Sequence, residues 1–208
     1  MRLRRTIHCV AGLLIALAPG CSSPTSEGVG GPGPCGPFGT WTESAFVLPY
    51  PVGRDYTVNQ ANCSGYGHSG FWRYGYDFIT PIGTVVTAAR AGRVGWANDG
   101  CRDYDISCTN LITVIHDDGL VSLYSHLTNG GVLVTSGDSV QAGDTIGLSG
   151  VTGNTGGLPH LHFSVHPCNQ LPGLPNPGDC PTLPVNFRNT AANPEGLVAG
   201  DDYQALPY

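Results

Sequence analysis

The punctuation of this chain limits its fold more than any other feature. Thirty-one glycines and seventeen prolines are spread through 208 residues, and no long run of Ala, Leu, Glu and Lys lies between them. Glycine costs a helix backbone entropy and proline removes a backbone donor, so both break helices within a few residues. Between the breaks lie short β-branched and aromatic segments that read as strands: 84–88, 92–97, 111–116, 121–127, 131–135, 145–149 and 160–165. Asp117-Asp118-Gly119 makes a tight turn between two of them. Residues 183–187 read as a late strand, 191–208 as irregular, and 168–180 as a Pro/Gly/Asn loop. The expected fold is mainly β, an antiparallel sheet or sandwich with long connecting loops. The length suits one domain with a core rather than two.

The N-terminus reads as an address. Met1 to Arg5 is cationic, 7–18 is apolar but too short to span a bilayer as a mature helix, and Ala18-Pro19-Gly20 precedes Cys21. Residues 1–20 therefore read as a secretory signal peptide. A cysteine directly after small residues resembles the lipobox of bacterial lipoproteins, so Cys21 is the expected lipidation site and membrane anchor. Leu17 stands four residues before the cysteine rather than three, and Pro19 is unusual there. Residues 21–40 are small, polar and Pro/Gly-rich, which suits a flexible tether, with the folded domain at 41–208.

Export agrees with the cysteines. Setting aside Cys9 and Cys21 leaves six, an even number that points to three disulfides in an oxidising compartment. Fifteen pairings are open. Proximity in the chain favours Cys101–Cys108 and Cys168–Cys180 as loop staples, which leaves Cys35–Cys63 to tie the N-terminal arm to the core. The first twenty residues carry three arginines and no acid, and the chain has no lysine, so the mature charge falls from −6 to −9. Such a chain has no electrostatic basis for binding nucleic acid, whose affinity rests on Lys and Arg at phosphates.

The chemistry lies in the histidines. His160-Leu161-His162 in a strand projects two imidazoles from one face, about 6.5–7 Å apart, with Leu161 and Phe163 turned to the core. Neutral imidazole is the commonest side-chain metal ligand. His126 lies in another alternating segment, Ser122-Leu123-Tyr124-Ser125-His126-Leu127, and His68 lies in a Gly/Ser-rich turn. Asp77 is a carboxylate inside the apolar run Tyr74-Gly75-Tyr76-Asp77-Phe78, where burial demands a partner such as a metal. His116 and His166 read as surface or structural residues.

Taken in order, these segments, with 81–94, 119–127, 136–144, 146–153, 159–163 and 183–187, resemble the lysostaphin/LytM-like zinc metallopeptidases over residues 66–190. The resemblance implies a lysostaphin-like peptidase fold and one zinc held by His68, Asp77 and His162, with the fourth position left to water. It implies His126 and His160 as a catalytic pair that orients and deprotonates that water, stabilises the oxyanion and protonates the leaving amine, with the division of labour open. The commoner form of the family has its metal histidine four residues before the aspartate. That position here is Arg73, so the chain follows a longer-spaced variant in which His68 is the ligand. The implied activity is endopeptidase cleavage of peptidoglycan peptides in the periplasm or cell envelope. The alternative is a non-catalytic domain that activates other wall hydrolases.

Overall fold

The computed structural model describes residues 35–168 and 180–208. The signal peptide, most of the tether including Cys21, and most of the 168–180 loop lie outside the described residues.

The chain forms strands β1 (Asp55–Gln60), β2 (Tyr76–Ile79), β3 (Val85–Thr87), β4 (Gly92–Asn98) and β5 (Asn110–Ile115). It continues with β6 (Val121–Val132), β7 (Ser139–Val140), β8 (Thr145–Ser149), β9 (His160–His166) and β10 (Asp202–Gln204). The only helical pieces among the described residues are two 3-10 turns, Trp41–Glu43 and Gly70–Trp72. All strand pairs are antiparallel, in the order β10-β1-β2-β9-β6-β5-β4-β7, and β8 joins β3 to β6.

Alternation decides which face each side chain takes. Phe78 pairs with Leu161, Tyr76 with Phe163, and Tyr124 with Phe163. These residues are fully buried and pack with Phe187 and Phe46 into the core. The opposite face at the same register carries Asp77 opposite His162, and His162 opposite Ser125. One strand pair thus builds the core on one side and the polar cluster on the other.

The three disulfides are Cys35–Cys63, Cys101–Cys108 and Cys168–Cys180, the pairing that proximity favours. Three expectations need correction. Residues 131–135 make no separate strand, because β6 runs on to Val132, with its pairing to β8 irregular between Leu127 and Val132. Residues 183–187 form no strand: Leu183 N–H bonds Val165 O at 2.8 Å, Pro184 has no donor, and Tyr76 Oη takes the Val185 carbonyl at 2.7 Å. The C-terminal stretch is not wholly irregular, since β10 adds to the sheet edge beside β1 with Tyr203 buried. His116 and His166 are structural and fully interior. His116 bonds Ala91 O and Ser122 Oγ, and His166 bonds Cys180 O and Ser164 Oγ.

Candidate metal centre

Asp77 stands at the middle of the cluster. Its Oδ1 lies 2.8 Å from His162 Nδ1, 3.2 Å from His68 Nε2 and 3.7 Å from His160 Nε2. Its Oδ2 accepts a hydrogen bond from Gln60 Nε2 at 3.0 Å. Burial alone would raise this carboxyl's pKa, but the bonds with His162 and then His68 outweigh burial and hold it well below the usual range. Burial pushes His162 toward its neutral form against the pull of Asp77.

The tautomers follow from the acceptors. His68 Nδ1 is 3.1 Å from Ala61 O, His126 Nδ1 is 2.7 Å from Thr152 O, and His160 Nδ1 is 2.8 Å from Leu158 O. A carbonyl only accepts, so each of these nitrogens carries its proton and each neutral ring presents a lone pair at Nε2. For His68 that lone pair faces a carboxylate oxygen at 3.2 Å, an arrangement that is repulsive unless a proton or a cation lies between them. The ligand atoms of His68, Asp77 and His162 all fall within 4.8 Å of one another, and all three residues are buried. Two imidazole nitrogens and one carboxylate oxygen form a donor set suited to zinc. The chain's residues therefore fit the metal.

His160 and His162 come from one face of β9, and Asp77 from the neighbouring β2, so the sheet itself brings three of the five groups together. His68 arrives on the irregular segment between β1 and β2, tied down by Cys35–Cys63. Arg73 Nε lies 3.1 Å from Cys63 Sγ and its guanidinium lies over the Tyr74 ring. His126 sits beside His160, ring centroids 4.7 Å apart, and 6.1 Å from His162. Burial first, then His160 and His162, hold the His126 pKa down to about 3.

Sequence reasoning missed several supporting residues. Gln60 pairs with Asp77 across β1 and β2, and Trp72 packs edge to face on His162 at 5.5 Å. Gly75 is a steric requirement: a Cβ there would lie 2.7 Å from His162 Cε1 and 3.2 Å from His68 Nε2. Its only sequence signal was its place two residues before Asp77.

A buried oxygen-and-imidazole donor set beside two further imidazoles, carried on an antiparallel sheet, is a layout suited to metal-assisted hydrolysis. Residues 72–172 match the model of peptidase family M23. Asp77, His126, His160 and His162 lie inside the matched segment, and His68 lies four residues before it. The chain is 42% identical over 101 residues to lysostaphin of Staphylococcus simulans, covering 47% of this chain and 18% of that protein. It is 37% identical over 119 residues to the glycyl-glycine endopeptidase ALE-1 of Staphylococcus capitis, covering 55% and 26%. Among solved structures, a zinc-containing peptidase from Vibrio cholerae matches at 29% identity with a TM-score of 0.44, covering 59% of this chain and 37% of that one. The chain thus spans less than a third of the length of these two curated relatives.

Proposed function

We propose that the protein is a zinc-dependent metallo-endopeptidase that hydrolyses peptide bonds in peptidoglycan cross-links or stem peptides. The observation that carries this reading is the convergence of the His68, Asp77 and His162 donors with His126 and His160 alongside. Those three donors would hold zinc, which supplies Lewis acidity that acidifies water and polarises a carbonyl.

The two remaining imidazoles supply the proton handling. Each has Nδ1–H fixed on a backbone carbonyl and an Nε2 lone pair free to accept a proton from water. Once protonated, the same nitrogen donates to the oxyanion or to the leaving amine, which lets one residue act in both halves of the reaction. His160 Nε2 also lies 3.7 Å from Asp77 Oδ1.

The substrate class follows the family resemblance, the glycyl-glycine endopeptidase ALE-1 supports cleavage of a peptide bond, and an envelope location agrees with three disulfides. Export through residues 1–20 and lipid anchoring at Cys21 belong to this proposal on the sequence reading alone. The test is digestion of cross-linked peptidoglycan and defined muropeptides by the mature, zinc-loaded protein, with the cut bond located by mass. One zinc per chain and a defined cleavage are expected, and His126→Ala should keep the zinc and lose the cleavage. Zinc-loaded protein that leaves every cross-link intact would overturn the reading in favour of an activator of other hydrolases.

A further inference from the structure

His126 is placed by an unusual piece of backbone. Asn110 pairs with Leu127 and Leu111 with Ser125, so His126 is the extra residue of a β-bulge in β6. Its φ is +66°, the left-handed region that residues with a Cβ rarely adopt. Strain of this kind persists only where the surroundings over-determine it.

Two fully buried side chains do so. Thr152 Oγ1 donates to Leu127 O at 2.8 Å and accepts from Asn110 N at 3.0 Å, while the Thr152 carbonyl takes the His126 Nδ1 proton at 2.7 Å. Asn110 Nδ2 reaches Thr128 O at 3.1 Å, Leu127 O at 3.4 Å and Cys101 O at 2.9 Å. Its Oδ1 accepts from Cys101 N at 2.8 Å. The Thr152 segment is itself seated on the Cys101–Cys108 loop, through Tyr104 N to Val151 O and Gly153 N to Asp105 O. Both sides of the bulge and the acceptor that orients the ring are thus tied to one hydroxyl and one amide.

We propose that Thr152 and Asn110 are positioning residues for His126: they hold the bulge in its left-handed turn and fix the imidazole as the Nδ1–H tautomer, so that Nε2 faces the site with its lone pair. The proposal rests on the reading of His126 as a catalytic group. Neither residue reaches the metal donors, so their effect must run through His126. Thr152→Val keeps the shape and removes the hydroxyl that fastens the bulge to the Thr152 segment. Asn110 holds five hydrogen bonds in the core, so Thr152 is the safer probe.

The experiment compares wild type, Thr152→Val and Thr152→Ser as mature zinc-loaded proteins. It measures kcat and KM on a cross-linked muropeptide, zinc content, and the His126 tautomer from the imidazole 15N shifts at a pH where the ring is neutral. Thr152→Val should lower kcat at least tenfold with KM within twofold, keep one zinc per chain, and show mixed His126 tautomers. Thr152→Ser should recover most of the loss and return the Nδ1–H form. A fall in kcat with the Nδ1–H tautomer intact, or one accompanied by loss of zinc, would overturn the proposal. Mixed tautomers with undiminished kcat would instead overturn the catalytic assignment of His126 on which the proposal rests.

Discussion

The cluster has two halves built in different ways. Asp77, His160 and His162 stand on neighbouring central strands, where hydrogen-bonded register fixes each side chain relative to the next. His68 and His126 stand on irregular backbone, one on the segment behind Cys63 and the other on a bulge with φ +66°. A strand needs no extra fastening to aim its side chains, because pleat and register set their direction. Irregular backbone needs a disulfide, a carbonyl acceptor or a buried amide for every residue it aims, and both His68 and His126 have such a fastening.

The strongest way to break this contrast is to remove a strand-borne donor. His162→Ala should abolish zinc binding and lower hydrolysis on the order of a thousandfold, the equivalent of about 4 kcal/mol. Metal analysis of the purified variant alongside single-turnover assays gives both numbers. Retention of zinc would remove His162 from the donor set.

The irregular half should yield to loss of its fastening. Replacing Cys35 and Cys63 together by serine opens a cross-link with a sequence separation of 28. It should cost about 3–4 kcal/mol in urea denaturation through the entropy of the unfolded chain. Zinc affinity, measured by chelator competition, should fall about tenfold, because His68 loses its tether. An unchanged affinity would mean that Ala61 O and the local packing hold His68 unaided.

Acid bears on the sheet half through His166. His166 on β9 is buried, and burial first holds its pKa down to about 4. An unfolded histidine titrates near 6.5, so between these values the unfolded chain binds the extra proton. Stability is therefore complete above about pH 6.5, falls as pH drops, and is lower by roughly 3 kcal/mol near pH 4. His166→Gln should flatten this part of the pH dependence in chemical denaturation. An unaltered profile would place the acid sensitivity elsewhere.

The smallest expected effect concerns the bulge. His126→Gly should be more stable than His126→Ala by about 1 kcal/mol, because glycine adopts positive φ without the Cβ penalty. Equal thermal midpoints for the two metal-free variants would show that the turn relaxes when the imidazole is gone.

This contrast also explains what was legible in the sequence. His160-Leu161-His162 announced its own geometry, because alternation in a strand is a local property, and the core positions Leu161 and Phe163 followed from the same rule. The aromatic run around Asp77 was readable for the same reason. His68 was reached only through resemblance, since nothing in a Gly/Ser turn says where it folds back. The bulge at His126 was invisible: the stretch 121–127 alternates like any strand, and the slip of register shows only against β5. Residues 183–187 misled because their composition suits a strand while Pro184 and the Tyr76 hydroxyl redirect the backbone bonds. Gln60 and Thr152 carry no mark in the sequence, because their roles depend on partners 17 and 26 residues away.

The place of β9 between β2 and β6 separates two events in the life of the molecule. Amides of a strand hydrogen-bonded on both sides exchange with solvent only when the whole sheet opens. The segment behind Cys63 has no such ladder, so it should open with the remainder of the domain intact. Hydrogen exchange should therefore divide the donor set in two, with His160 and His162 among the slowest sites and His68 among the faster ones. Loss of a bound metal would then require only a local excursion, whereas loss of the surface that receives it back would require global unfolding.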